Sequence, residues 1–124
     1  MELTLYERLG KEGINKLLDG FYDRVFNDPT IAPLFVNSTR SEIQEKQSLF
    51  ISQFLGGPMG YTENFGPPKM RQRHIPHRIT PLAKDAWLKC MKEAIEEQDW
   101  DERLKEVMYS IFPPIAAHMV NSED

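Results

Sequence analysis

Apolar positions recur along this chain with a helical period, and nowhere do β-branched residues alternate with polar ones over the length of a strand. Thr4-Leu5-Tyr6-Glu7 has the spacing of a capping box, in which hydroxyl and carboxylate satisfy orphan amides, and Gly10 supplies a stop after a short first helix. From Ile14 the residues Leu17, Leu18, Phe21, Tyr22, Val25 and Phe26 follow the i, i+3, i+4, i+7 rule until Asn27-Asp28-Pro29 ends a second helix. Pro33, between Ile31 and Leu34, leaves room for one tight turn. A second capping box, Thr39-Arg40-Ser41-Glu42, opens a helix with an inner stripe of Ile43, Gln47, Phe50 and Phe54, flanked by Ile51 and Leu55 and closed by Gly56-Gly57-Pro58.

Met59 to Gly66 reads as a glycine-bounded loop, and Pro67-Pro68 can only start a helix, which runs briefly through Met70 and His74 to Ile75-Pro76. Thr80-Pro81 is a cap with proline at the first helical position. The helix behind it is periodic at Leu82, Ala83, Ala86, Trp87, Cys90, Met91, Ala94 and Ile95. Asp99 to Glu102 caps a last helix with Leu104, Val107, Met108, Ile111 and Phe112 inside. Pro113-Pro114 predicts a kink in it, not its end, because Ile115, Met119 and Val120 resume an apolar series. The pattern predicts one all-α domain over residues 1–124.

At 124 residues and 40% hydrophobic content the chain suits one core. No apolar stretch approaches the roughly 18 to 20 residues that span a bilayer, and the opening MELTLYERLG lacks a hydrophobic signal segment, so a cytoplasmic protein with no membrane partner is expected. One cysteine, Cys90, excludes an intrachain disulfide and a cysteine-rich zinc site. The net charge of −4 argues against nucleic acid as a partner.

That charge is unevenly spread. From Asn64 to Lys84 there is no acid, while Lys69, Arg71, Arg73, Arg78 and Lys84 form a cationic arc; the rest of the chain, with ten basic residues against nineteen acidic ones, stands at −9. Such an arc is either a solvated face or a seat for a carboxylate or phosphate. His74 lies within it, on a short helix pinned by prolines. No HExxH and no repeated ExxH accompany it, so a metal role needs a cofactor to supply the remaining ligands, as a porphyrin does for iron. Finally, Tyr22, Gln47 and Trp87 place polar groups on the inner stripes of three different helices. Each is either an edge-of-core residue with a backbone partner or a donor into a shared cavity.

At this point the sequence resembles the truncated globins of the second group, haem proteins built as a two-over-two helical sandwich. The resemblance covers nearly the whole chain, from Tyr6 to Asn121. It rests on Phe21-Tyr22, Phe35, Gln53-Phe54-Leu55-Gly56-Gly57-Pro58, Tyr61-Thr62-Glu63, Arg71-Gln72-Arg73-His74, Asp85-Ala86-Trp87-Leu88-Lys89-Cys90-Met91 and His118-Met119-Val120-Asn121. It implies haem b, iron protoporphyrin IX, as cofactor, with His74 as the metal ligand. Tyr22, Gln47 and Trp87 would be the distal residues facing the bound ligand, and Ile43 would stand where ordinary globins keep a distal histidine. Phe35 and Phe50 would contact the haem, and Lys46, Tyr61 and Arg73 would meet its propionates. Two departures stand out: Phe65-Gly66-Pro67-Pro68 replaces a His-Gly-His-Pro type of pattern, and His77 replaces an aromatic residue just past His74.

The function implied is binding of oxygen and other diatomic ligands at ferrous iron. High-affinity retention, or redox chemistry with oxygen, nitric oxide or peroxide, is favoured over bulk transport, with an unidentified reductase as a further partner and a monomer or homodimer as the assembly. The competing class is a haem-free helical interaction module, in which Tyr22, Trp87 and the Met and Phe stripes are only core.

Overall fold

The computed structural model describes residues 3–35, 39–66 and 79–120, without the side chain of His118. Every regular element among them is helical. Helix α1 runs over Leu5–Val25, and the capping box at its start is formed: Glu7 N donates to Thr4 Oγ1 at 3.0 Å and Thr4 N to Glu7 Oε1 at 3.1 Å. Gly10, at φ 70°, interrupts the helical backbone where a stop is expected, but the chain re-enters the helix at once, so the two expected helices form one kinked rod. A 3₁₀ turn at Ala32–Phe35 follows, and α2 covers Arg40–Phe54.

Helix α2 begins where its capping box predicts, yet the Thr39 side chain makes no cap hydrogen bond, so that box is not formed. Phe54, read as an inner residue, is 49% exposed; Ile51 and Leu55 are buried in its stead. The expected loop at Met59–Gly66 is also corrected, because Gly60–Phe65 is a short helix, α3. A tertiary clamp accounts for it. Gln53 on α2 donates from Nε2 to Thr62 Oγ1 at 2.7 Å and accepts from Thr62 N at 3.0 Å, which pins six residues too few to be stable alone. The turn before it needs glycine: a Cβ on Gly57 would lie 2.6 Å from the Tyr6 ring and 2.8 Å from the Ser52 carbonyl oxygen.

Helix α4, Pro81–Glu96, starts at the expected cap, with Ala83 N donating to Thr80 Oγ1 at 3.1 Å. Its stripe is inward at Ala83, Cys90, Met91, Ala94 and Ile95, but Leu82 is 60% exposed. Helix α5, Glu102–Ser110, is capped by Asp101, and α6, Phe112–Met119, resumes after a break at Ile111 with Pro113 and Pro114 in its first turn, where missing amides leave no bond unmade. The helix is thus interrupted there and continues, as the apolar series predicts. The short helix expected through Met70 and His74 lies outside the described residues.

Helices α1 and α2 pack as one pair, α4 and α6 as another, and α1 lies against α4 to join them, the two-over-two arrangement. Ile14, Leu17, Leu18 and Val25 of α1, Met91, Ala94 and Ile95 of α4, and Met108 of α5 form a core from which water is excluded. On the outer side of the α1–α4 seam, Arg24 holds Glu97 through two hydrogen bonds, 2.9 and 3.1 Å. Gly20 leaves the space this pair occupies.

Candidate functional site

The inner faces of the two helix pairs do not close on each other completely. Helix α1 contributes Leu18, Phe21 and Tyr22; the 3₁₀ turn contributes Leu34 and Phe35; α2 contributes Ile43, Gln47, Phe50 and Ile51. Across from them stand Ala83, Trp87 and Met91, spaced four residues apart on one face of α4, with Phe112 and Met119 of α6. They bound a cleft of about 930 Å³, counting the space open at its mouth. Its walls are aliphatic and aromatic, the usual lining of a site for an organic molecule.

The helical period explains the convergence. Ile43, Gln47 and Phe50 are successive turns of α2, so an apolar stripe that happens to include one amide delivers that amide to the same wall as two hydrophobes. Phe21 centres the opposite wall. Its ring meets Tyr22 edge-on at 4.9 Å and Trp87 edge-on at 5.0 Å, and Trp87 in turn lies 5.8 Å from Phe112. Phe26 stands between Tyr22 and Phe35, at 6.2 and 5.7 Å. These contacts fix the orientation of the polar-tipped rings.

The side chains of Tyr22, Gln47 and Trp87 have no hydrogen bond to any described residue. Even so, no polar side-chain atom among the described residues is both sealed from solvent-sized space and unpartnered. For Tyr22, only 3% exposed, the open space is the cleft it lines. Burial raises the phenol pKa well beyond the ordinary tyrosine range, which keeps the hydroxyl protonated and able to donate. Gln47 and Trp87 are half-buried on the same walls. The cleft therefore offers three neutral donors and an apolar surface.

Of the residues the sequence singles out, Tyr22, Phe35, Ile43, Gln47, Phe50 and Trp87 are brought together here. Lys46 and Tyr61 lie just behind this wall and do not line the cleft among the described residues. Tyr61 is buried edge-on against Phe50 at 5.6 Å, and Lys46 Nζ sits 4.9 Å from the centre of the Phe65 ring and 6.0 Å from that of Tyr61. Arg73 and His74 lie outside the described residues. Sequence reasoning missed Lys84 as a wall residue. It belongs to the acid-free arc and precedes Trp87 by three positions on α4, a spacing that places both on one helical face. It missed Met119 too, whose place depends on how the chain continues past Ile111.

The remaining nucleophile plays no part in the cleft. Cys90 is buried, and burial, reinforced by the nearby Asp28 and Glu93 carboxylates, pushes its thiol up to about 11. No group of three or more His, Cys, Asp or Glu able to hold a metal ion occurs among the described residues, and no described helix is long and apolar enough to cross a membrane.

The model of the bacterial-like globin family matches residues 4–121 of the chain. The chain is similar to the group 2 truncated hemoglobin YjbI of Bacillus subtilis (strain 168), with 40% identity over 119 residues, 96% of this chain and 89% of that one. Among solved structures it is similar to the group II truncated hemoglobin from Bacillus anthracis, at a TM-score of 0.94 and 36% identity, covering all of this chain and 95% of that one. A truncated oxygen-avid haemoglobin from Bacillus subtilis matches at a TM-score of 0.90 and 39% identity, over 96% of this chain and all of that one.

Proposed function

This chain belongs to the group II truncated haemoglobins, within the bacterial-like globins, and from that premise we propose that it retains oxygen with high affinity or uses it in redox chemistry with nitric oxide or peroxide. Membership implies haem-based oxygen binding; the finer reading is carried by one observation. Three donor side chains on three different helices, without partners among the described residues, line a single apolar cleft. An ordinary core satisfies or excludes such groups.

The residues present fit a haem. Phe35 and Phe50 offer aromatic faces, Ile43, Leu34 and Ala83 line the space without polar atoms, and the unpartnered Tyr22 hydroxyl awaits an acceptor. We assign the cofactor as haem b, with Phe35 and Phe50 against the macrocycle and Lys46, Tyr61 and Arg73 towards its carboxylates. His74 is assigned as the residue that would ligate the iron, since His77 follows the helix-breaking Pro76 in sequence. When bound, haem would supply a ferrous iron able to bind a diatomic ligand.

This chain's residues do the rest. Tyr22, Gln47 and Trp87 donate towards the negative end of the ligand, each such charge-assisted bond contributing about 1.5 to 3 kcal/mol in a dry site. Phe21 and Phe26 hold the Tyr22 and Trp87 rings in place beforehand, so little reorganisation is needed. Ile43 and Phe50 keep water from competing for those donors. Two effective donors slow ligand release by about two to four powers of ten, since about 1.4 kcal/mol is a factor of ten. Retention on that scale suits chemistry better than delivery. The relative from Bacillus subtilis whose structure is described as oxygen-avid supports this reading.

Optical titration of the purified protein with haemin, followed by reduction and exposure to oxygen, tests it. An intense band near the violet edge with oxygen-dependent visible bands is expected, lost in His74→Ala and kept in His77→Ala. A colourless, fully folded protein that refuses haemin contradicts the reading.

A further inference from the structure

The cleft has one cationic wall residue among the described residues, Lys84, and no carboxylate or carbonyl among them holds its ammonium apart from its sequence neighbour Asp85. Its side chain is 28% exposed, and its stem lies along the same wall as Ala83 and Trp87. Its only ion pair among the described residues is with its sequence neighbour Asp85, at 3.5 Å. That carboxylate is 70% exposed, so water screens the pair and it does little to hold the ammonium. Arg24, on the other side of the α1–α4 seam, differs: it is fully engaged by Glu97 and the Gly20 carbonyl, away from the cleft.

A cation on an otherwise neutral and apolar wall defines the chemistry of what fits. The occupant is amphiphilic, with an apolar body against Phe35, Phe50 and Met119 and an anionic group within reach of a flexible ammonium. Lys46, by contrast, is drawn onto the Phe65 ring and lies off the cleft wall. We propose that Lys84 is a carboxylate-anchoring residue of the cleft, taking one acid group of the bound porphyrin. This inference rests on the haem reading above and adds a contact that reading does not contain. Lys84 acts on the position and retention of the cofactor and touches no reacting atom.

The apoprotein tests the proposal without any ligand at iron. Quenching of tryptophan fluorescence reports binding of metal-free protoporphyrin IX and, separately, of its dimethyl ester, which keeps the apolar body and lacks the charges. The wild-type protein is expected to prefer the diacid. Lys84→Gln should weaken the diacid about fivefold and leave the diester unchanged, as loss of one part-exposed ion pair implies, and Lys84→Arg should restore the wild-type affinity. Diacid affinity unchanged in Lys84→Gln overturns the assignment while leaving the haem reading intact. Failure of the wild-type protein to bind either porphyrin overturns both.

Discussion

Helices α1 and α4 meet along one seam with two sides, and the two sides treat polar groups in opposite ways. On the outer side Arg24 and Glu97 satisfy each other through two hydrogen bonds, with Glu93 at 3.8 Å adding a second carboxylate and Gly20 leaving the room they need. On the inner side Tyr22, two positions from Arg24, and Trp87, on the same helix as Glu93 and Glu97, carry side-chain polar atoms with no partner among the described residues and line the cleft. The same two helices thus have one face built for stability and one held open. Where a fold leaves donors unpartnered beside an apolar space, the partner belongs to something that binds there.

Removing the ring that supports the inner side breaks the comparison most severely. Phe21 is 1% exposed and touches both Tyr22 and Trp87, so Phe21→Ala should cost about 3 to 5 kcal/mol of stability by chemical denaturation and disorder both donors at once. Tyr22→Phe should have the reverse sign in the apoprotein. Deleting a buried hydroxyl without a protein partner leaves stability unchanged or raises it by about 1 kcal/mol, and a loss of that size would mean the hydroxyl is satisfied after all. On the outer side, Glu97→Gln should cost no more than about 1 kcal/mol, because the pair is part-exposed.

Its pH dependence follows from sign. The hydrogen bond from Arg24 holds the Glu97 carboxyl below its ordinary range, so its contribution is present above that range and is lost as pH falls through the lowered value. Stability curves of wild type and Glu97→Gln should therefore converge in acid and separate towards neutrality. Smallest of all, Gly20→Ala displaces only the flexible end of Glu97. The roughly 1 kcal/mol that alanine gains over glycine inside a helix offsets the disturbance of the pair, so the net change should stay within a few tenths of a kcal/mol, read as a shift in denaturation midpoint.

Much of this contrast is legible in the sequence, and what is not has identifiable causes. The donors Tyr22, Gln47 and Trp87 were recognisable because each interrupts a helical stripe, and a stripe fixes which wall its residues reach. Caps at Thr4 and Thr80 depend only on neighbours three residues away and formed as expected. The third, at Thr39, has the right spacing and no bond, since a motif permits a contact without compelling it. The local pattern of α3 predicts a loop, because its support, Gln53, lies on another helix and leaves no local trace. Phe54 and Leu82 fit the period of their helices, yet they sit at stripe edges where the neighbouring helices do not reach. The outer pair was invisible for the same reason as α3: Arg24 and Glu97 are 73 residues apart.

The central claim is that the inner donors hold a ligand. Stopped-flow measurement of oxygen dissociation from the haem-loaded protein tests it most directly, comparing wild type with the Tyr22→Phe/Trp87→Phe double variant, which keeps the ring stack and removes two donors. The account predicts release faster by about two to four powers of ten in the double variant, with intermediate rates in the single ones. Rates that rise in neither the single variants nor the double one would contradict it.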